Sequence, residues 1–238
     1  MADPYIPSPK GWLKGTLEPD SDMGLIVRAD SGGTPATGSE EYWDGDIPWL
    51  TPKEITGLTN GLFVSKTERT ITDLGLKNSS AKLMPPNTVM LSKRAPVGAV
   101  AVNAVPMATN QGFLNFTCGR ALRPLYLAYW LRANTAYLYQ VANGSTYPEL
   151  YAGDLFEFEI AVPDVAVQDR IIELISAVQY VSALGIALEQ SVTSPSRLMA
   201  VQEHNRRLTT FIEVLLPQLF SGMLDVSQVK THFKEVLE

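Results

Sequence analysis

The sequence predicts an α+β fold: a mostly β domain over residues 1–163, a helical region over residues 164–224 and a polar tail over residues 225–238. Two observations support this division. Up to Pro163, short runs rich in Val, Ile and Phe alternate with turns that contain Pro, Gly, Asn and Ser, which is typical of strands. Beyond Pro163, apolar residues recur at steps of three and four, which is typical of long coiled-coil helices.

The strands of the first domain are predicted to be short. They are Leu25–Val27, Ile47–Leu50, Leu62–Val64, Thr67–Thr72, Val89–Leu91, Val97–Val102, Phe113–Phe116 and Leu155–Val162. The last run alternates apolar residues with Glu157 and Glu159, which indicates a strand with one side in solvent. A helical pattern begins at Arg123-Pro124 and ends at Asn143-Gly144, because Pro suits a first helical turn and Gly suits a helix end.

The helical region predicts two helices with an interruption near Ser191–Pro195. Its two apolar series are out of phase, and Ser194 followed by Pro195 suits a new helix start. Because an apolar seam is not stable in water, the helices must pack on each other, on a second copy or on a partner. Asn205 either fixes the register of the seam or is an ordinary hydrogen-bonded buried residue. The seam residues are Ile171, Leu174, Val178, Val181, Leu188, Leu198, Val201, Asn205, Leu208, Ile212, Leu215 and Leu219.

Charge is distributed unevenly along a chain whose net charge is −6. Residues 51–123 carry nine basic and three acidic side chains, whereas residues 1–50 carry three basic and nine acidic ones. A basic segment within an acidic chain indicates localised contact with an anion such as nucleic acid, and a solvated strand surface is the alternative. The acidic total predicts weak DNA binding by the chain alone, with a partner protein adding phosphate contacts.

Polar turns between the predicted strands supply the candidate DNA-binding residues. Arginine suits a guanine edge, asparagine or glutamine suits an adenine edge, and lysine suits a phosphate. The residues assigned to these roles are Arg94 for guanine, Asn110 or Gln111 for adenine, and Lys53, Lys77 and Lys93 for phosphate. The same turns add Gly33, Thr34, Ser92, Ser145 and Thr146. For each lysine, an ordinary solvated charge is the alternative interpretation.

Several kinds of chemistry find no support in the sequence. Cys118 is the single cysteine, which excludes an internal disulfide and favours a reducing, cytoplasmic setting. There is no HExxH, no paired His/Cys spacing, no glycine-rich phosphate loop and no GxSxG motif. The beginning of the chain does not resemble a signal peptide, and no apolar run is expected to be long enough to cross a membrane. We therefore predict a non-catalytic, cytoplasmic chain without a metal or cofactor of its own.

Taken in order, these motifs resemble the DNA-specificity (S) subunits of type I restriction–modification systems. The segments that carry the resemblance are Ser31–Pro35, Tyr42–Pro52, Asn78–Ala81, Leu83–Thr88, Arg94–Gly98, Ala108–Phe113, Gly144–Thr146 and Gln168–Ile171. Together they extend over roughly residues 25–222 in the order in which the family has them.

The resemblance implies a target recognition domain followed by a helical spacer. Family members usually carry two such units, so the chain resembles a half-length subunit that would form a homodimer through its helices. A symmetric pair would read a palindromic two-part site in double-stranded DNA, with the helices setting the gap between half-sites. The helices would also dock modification (methyltransferase) subunits, which would carry S-adenosylmethionine, and a restriction subunit is a further candidate partner.

Two other functions stay open at this point. The chain could be a DNA-modifying enzyme of unknown class, or a coiled-coil assembly adaptor whose globular domain binds protein. Incubating the purified chain with DNA and either magnesium or S-adenosylmethionine tests the first. Selection from a random DNA library, with and without a methyltransferase partner, separates all three.

Overall fold

The structure is a computed structural model that describes residues 6, 9–19, 21–56, 58, 61–142, 148–156, 158–191 and 193–221; side-chain placements at 185, 190, 209, 212 and 213 lie outside this description. The strands are β1 Leu13–Thr16, β2 Ile26–Ser31, β3 Trp43–Leu50, β4 Phe63–Val64, β5 Arg69–Ile71, β6 Val89–Ser92, β7 Val100–Asn103, β8 Ala108–Thr109, β9 Phe113–Cys118 and β10 Glu159–Val162. The helices are α1 Pro52–Ile55, α2 Asp73–Lys77, α3 Pro124–Ala133, α4 Thr135–Val141, α5 Ala152–Phe156, α6 Val165–Ser191 and α7 Pro195–Phe220. The predicted α+β fold is thus confirmed.

The largest sheet has five strands in the order β2-β9-β6-β7-β4, all antiparallel except that β4 runs parallel to β7. A three-stranded sheet, β5-β3-β8, and an antiparallel β1–β10 pair complete the β structure of the described residues. The β1–β10 pair places the beginning of the described chain beside the strand that precedes α6.

Both faces of the five-stranded sheet are buried. Val89 and Leu91 of β6 face a large core that also contains Tyr126 and Trp130 of α3, whereas Met90 between them faces a second core on the other side. This alternation follows from the two-residue period of a strand. A strand that is covered on both faces has apolar residues at successive positions. For this reason apolar and polar residues do not alternate in Val89–Leu91.

Two strand predictions are wrong in their first halves. In the predicted strand Val97–Val102, residues 97–99 form a turn and β7 begins at Val100. Leu155 lies in the short helix α5 and is fully buried in the large core, and the strand is limited to Glu159–Val162. The Tyr151 amide donates to the Asp154 carboxylate at 3.3 Å, as at a helix start. A short apolar run fits either period, so alternation alone could not distinguish helix from strand here.

The helix predicted after Arg123 is two helices that meet at Asn134. This residue is fully buried, and its side-chain nitrogen donates to the Trp130 carbonyl at 3.0 Å while its side-chain oxygen accepts from the Ile6 amide at 3.0 Å. An asparagine side chain that bonds locally to the backbone commonly ends a helix. The predicted end at residues 143–144 lies outside the described residues, as does the predicted tail, 225–238.

The last two helices fold back on each other as a hairpin. α6 packs against α7, and the side-chain nitrogen of Asn205 donates to the Glu189 carboxylate. Phe220, at the end of α7, returns to the large core and lies edge-on to Tyr126 with ring centroids 5.3 Å apart. Of the three predicted packing arrangements, the structure therefore shows helix on helix within one chain, and Asn205 is buried and hydrogen-bonded.

The hairpin uses part of the predicted dimer seam for contacts within one chain. Six of the seam residues are buried within the single chain and cannot face a second copy in this arrangement. They are Ile171, Val178, Asn205, Leu208, Leu215 and Leu219. Leu174, Leu198 and Val201 are half-buried, the side chain of Ile212 lies outside the description, and only Val181 and Leu188 are exposed. The spacing could not distinguish these arrangements, because a fold-back hairpin needs the same apolar spacing as a coiled coil between chains. Dimerisation through the helices stays a prediction.

The apolar character of α6 also corrects the expectation about membrane spans. Residues Val165–Glu189 have a mean hydropathy of 1.8 and are long and apolar enough, by length and composition, to cross a membrane. This is weak evidence, because core helices of soluble proteins pass the same test. Ile171, Ile175 and Val178 of this helix are buried in the protein.

Gln168 fixes the direction in which α6 leaves the domain. Its buried amide nitrogen donates to the carbonyls of Ala121 and Pro163 at 2.8 and 2.9 Å, and its oxygen accepts from the Arg123 amide at 2.8 Å. Arg123 also donates two hydrogen bonds to Asp169, at 2.8 and 3.0 Å, and these hold the pKa of Asp169 below its usual value. The helix start is therefore tied to the domain by side chain and backbone alike.

Candidate nucleic-acid interface

Polar turns from distant parts of the chain meet at one end of the sheets. Because β9 runs antiparallel to both β2 and β6, the end of β2 and the end of β6 lie beside the start of β9, with Ser31 opposite Leu114 and Ser92 opposite Phe113. We call the surface formed there the corner surface; it comprises residues 31–34, 51–53, 92–94, 109–112 and Glu149.

Backbone hydrogen bonds connect these turns to one another. The Gly33 amide donates to the Thr109 carbonyl at 2.9 Å, and the Lys93 amide donates to the Gly112 carbonyl at 2.8 Å. The Asn110 amide donates to the Leu50 carbonyl at 3.0 Å. Turns that are bonded to each other in this way hold their side chains in a fixed mutual arrangement.

Gly33 lies where there is no space for a side chain. A Cβ at this position would lie 2.3 Å from the backbone of Ser80 and Ala81. Its carbonyl accepts from the indole nitrogen of Trp49 at 2.9 Å. Gly33 thus has a packing role, and Trp49 is buried against it.

We expect Gly33→Ala to lower the free energy of unfolding by about 1–3 kcal/mol, because the added methyl group would displace backbone atoms. Chemical denaturation measures this change. The control is Gly38→Ala, since no atom lies within 4 Å of a Cβ built there, and we expect it to stay within about 0.5 kcal/mol. Equal effects of both substitutions would contradict the packing role of Gly33.

The cations of the corner surface are partly exposed and held by neighbours. The Arg94 side chain is 49% exposed, and its Nε lies 3.1 Å from Oε1 of Glu149. Lys93 Nζ lies 3.2 Å from the Ser31 hydroxyl and 3.8 Å from the same carboxylate oxygen. Lys53 is exposed on α1, beside Pro52, which lies close to Gly112.

The amide side chains of the turn at 109–112 also have defined partners. The Asn110 side-chain oxygen accepts from the Gly112 amide at 2.9 Å, which stabilises the turn. The Thr34 hydroxyl donates to the side-chain oxygen of Gln111, which joins the first turn to the last. Gln111 is exposed and Asn110 is half-buried.

The remaining predicted contact residues differ in accessibility. Ser92 is fully buried and its hydroxyl donates to the Arg94 carbonyl at 2.7 Å, so in this structure it supports the turn and does not face solvent. Lys77 is exposed at the end of α2, and among the described contacts none links its side chain to the corner surface. Ser145 and Thr146 lie outside the described residues. As DNA contacts, these residues stay predictions.

The sequence prediction missed the two side chains that contact the cations of the corner surface. Ser31 ends β2 and contacts Lys93, and Glu149 contacts both cations. A strand-end serine has no distinctive pattern. Glu149 is far from Lys93 and Arg94 along the chain, and only the fold brings them together.

The side chains of the described residues are suited to binding and not to covalent or metal chemistry. Burial raises the pKa of the Cys118 thiol to about 12, so this thiol is protonated and a poor nucleophile at neutral pH. Among the residues that the structure describes, no group of three or more His, Cys, Asp or Glu side chains could hold a metal ion. What the corner surface offers is ammonium, guanidinium and amide groups on a rigid support.

Comparison with known families agrees with this description. Residues 21–193 match the family model described as the type I restriction modification DNA specificity domain. The MjaIX specificity subunit of Methanocaldococcus jannaschii, a type I restriction enzyme subunit, is 37% identical over 170 residues, which is 71% of this chain and 38% of the relative. The HindI specificity subunit of Haemophilus influenzae is 27% identical over 217 residues, or 90% of this chain and 42% of the relative. The chain thus spans about two fifths of the length of these curated relatives.

Solved structures show the same fold. The HsdS subunit of Thermoanaerobacter tengcongensis superposes with a TM-score of 0.56 at 21% identity, covering 94% of this chain and 48% of the solved one. A chain from a study of complex assembly and conformational transition of the type I R-M system gives a TM-score of 0.58 at 21% identity, covering 92% of this chain and 48% of that one.

Proposed function

Because this chain belongs to the type I restriction modification DNA specificity family, we propose that it is a subunit that chooses the DNA sequence for a methyltransferase complex. The observation that carries the proposal is the corner surface. There, turns that are distant in sequence are bonded together and present Lys53, Arg94 and Gln111 to solvent, with the less exposed Lys93 beside Arg94. Side chains of these types recognise phosphates and base edges.

Arg94 is the candidate for reading guanine, and Asn110 or Gln111 is the candidate for reading adenine. Arg94 is half-exposed at the tip of the β6–β7 connection, and Gln111 is exposed beside it in the neighbouring turn. Lys53, Lys77 and Lys93 would bind phosphates without reading sequence. Rigid turns favour discrimination, because a base edge is read only when donors are held in a fixed geometry.

A second copy would cover the outer face of α6, giving a homodimer. Residues 174–188 contain no charged side chain, yet Tyr180 is 67% exposed, Leu184 48% and Leu188 55%. Spaced by four, these three residues form one stripe along the helix. Depletion of charge and an exposed apolar stripe are features of the core of a protein interface. A symmetric dimer would read a palindromic two-part site.

The other partners follow from the family. Methyltransferase subunits would dock on the complex and carry S-adenosylmethionine, and a restriction subunit is a further candidate. The chain would act in the cytoplasm, where the DNA is. With its start tied to the domain by Gln168, α6 is suited to set a constant distance between two recognition domains.

Selection from a randomised duplex library tests the proposal. Full-length chain, with and without a cognate methyltransferase subunit, should enrich a two-part palindromic sequence, and more strongly with the partner because the chain itself is acidic. Enrichment of no sequence under either condition would contradict the proposal. Cleavage or methylation by the chain alone would instead favour an enzyme, and binding only to protein would favour an adaptor.

We expect Arg94→Ala to lower discrimination between the selected duplex and a scrambled one by about 10–100-fold, since a bidentate arginine–guanine pair contributes about 1–3 kcal/mol. Titration of both duplexes at one salt concentration measures the ratio. The control is Arg120→Ala, which removes the same charge from an exposed residue just beyond the other end of β9. Discrimination retained in Arg94→Ala would refute the assignment.

A further inference from the structure

One carboxylate, Glu149, lies among the cations of the corner surface. Its Oε1 is 3.1 Å from Arg94 Nε and 3.8 Å from Lys93 Nζ, and its side chain is only 22% exposed. A surface that binds phosphates has no electrostatic use for a negative charge. We infer that Glu149 is a positioning residue that sets how Arg94 meets the DNA, an inference that rests on the proposed function.

The backbone around Glu149 is fixed beside the turn that carries Arg94. The amide of Leu150 donates to the Lys93 carbonyl at 2.9 Å, and the Leu150 side chain is fully buried in the large core. The Arg94 end is fixed as well, because the Ser92 hydroxyl donates to the Arg94 carbonyl at 2.7 Å. Both ends of the Glu149–Arg94 pair are therefore anchored to the protein.

The geometry of the pair determines which part of the guanidinium stays available. Glu149 faces Nε, the nitrogen nearest the chain, whereas a guanine edge is read by two nitrogens of the guanidinium fork at once. With the carboxylate nearest to Nε, a base edge can approach the far end of the guanidinium, which is formed by the two terminal nitrogens. The contact with Glu149 restricts the arginine to fewer rotamers before it meets DNA, which lowers the entropic cost of the bidentate contact.

The charge of Glu149 has a second effect. It offsets one unit of positive charge at the surface, so DNA of any sequence is attracted less strongly. Specific duplexes regain this loss through the oriented Arg94 contact, whereas scrambled duplexes do not. The charge of Glu149 thus weakens non-specific binding, and the oriented Arg94 contact is what widens the gap between specific and non-specific binding.

Glu149→Gln tests this inference, since glutamine keeps the shape and removes the charge. Affinity for a scrambled duplex should rise by about three- to tenfold, with a salt slope steeper by about one. Affinity for the duplex that the wild-type chain selects should stay the same or fall, so discrimination drops by about tenfold. A merely structural role would lower both affinities together, and the midpoint of chemical denaturation would fall.

Two further variants make the result decisive. In an Arg94→Ala background, Glu149→Gln should no longer change discrimination, because the two residues act as one unit. Glu159→Gln, which breaks the 2.8 Å pair with Lys14 in the β1–β10 sheet, should alter neither affinity. If the wild-type chain and Glu149→Gln discriminate equally well between the selected and scrambled duplexes, the inference about Glu149 is wrong and the proposed function still stands. If wild type enriches no sequence, the proposed function fails and this inference with it.

Discussion

Leu184→Asp is expected to lower the affinity for a two-part palindromic duplex by about 10²–10⁴-fold, with binding to a single half-site unchanged. Linking two reading domains makes the second binding event intramolecular, and avidity of this size is lost when the link is broken. Leu184 is 48% exposed in the middle of the uncharged stretch of α6, between Tyr180 and Leu188. A carboxylate placed there would be buried without a partner if a second copy covered the stripe.

Sedimentation equilibrium and duplex titration measure the two consequences of Leu184→Asp. The variant should sediment as a monomer at concentrations at which the wild-type chain is a dimer. Met199→Asp is the matched control, because Met199 is a 72% exposed apolar residue on α7 outside the stripe, and it should leave dimer and affinity intact. A Leu184→Asp variant that still dimerises would show that the second copy binds elsewhere.

Phe220→Ala is expected to lower the free energy of unfolding by about 3–5 kcal/mol, the range for a fully buried aromatic residue cut back to alanine. Phe220 is completely buried and lies edge-on to Tyr126, so its loss would leave a cavity between α7 and the domain. The effect is large because α7 is held against the domain by its last two turns, to which Leu215 and Leu219 also belong.

Chemical denaturation of the full chain measures the effect of Phe220→Ala. Tyr139→Ala is the matched control, since Tyr139 is a 60% exposed aromatic residue on α4, and it should stay within about 0.5 kcal/mol. If Phe220→Ala were as mild as the control, α7 would not return to the domain and the hairpin would be wrong.

The positions of most strands could be predicted from the sequence, because strands in this domain are short apolar runs between Pro, Gly and Asn turns. Val89–Leu91 and Phe113–Phe116 are examples, and their flanking turns were the right place to look for polar tips. Leu155 shows the limit. Its apolar neighbours fit a helix as well as a strand, and only the surrounding core decides between the two.

The helices show a different limit. The spacing of apolar residues indicated that the helices pack along a seam, but it did not indicate what they pack against. Seam residues such as Ile171 and Leu208 have the same spacing in a hairpin within one chain and in a coiled coil between two chains. The exposed fractions of the side chains supply the missing information. Val178 is buried, whereas Tyr180, two residues further along α6, is exposed. The period of the apolar residues alone does not indicate which face of a helix its neighbour covers.

The sequence predicted that polar turns form a binding surface, but it did not predict every residue of the corner surface. Arg94 and Gln111 stand out as polar residues in turns between apolar strands, so local sequence was enough to select them. Glu149 comes beside Arg94 only because distant segments meet in the fold, where Leu150 donates a backbone hydrogen bond to Lys93. Ser92 was selected for the same reason as Arg94, but its hydroxyl turns inward.

The central claim is that the corner surface reads DNA, and a high-resolution structure of the full chain bound to its selected duplex tests it most directly. We predict that Arg94 and Gln111 lie in a groove within hydrogen-bonding distance of base edges, with Glu149 still against Arg94. A complex in which both residues face away from the duplex would contradict the claim.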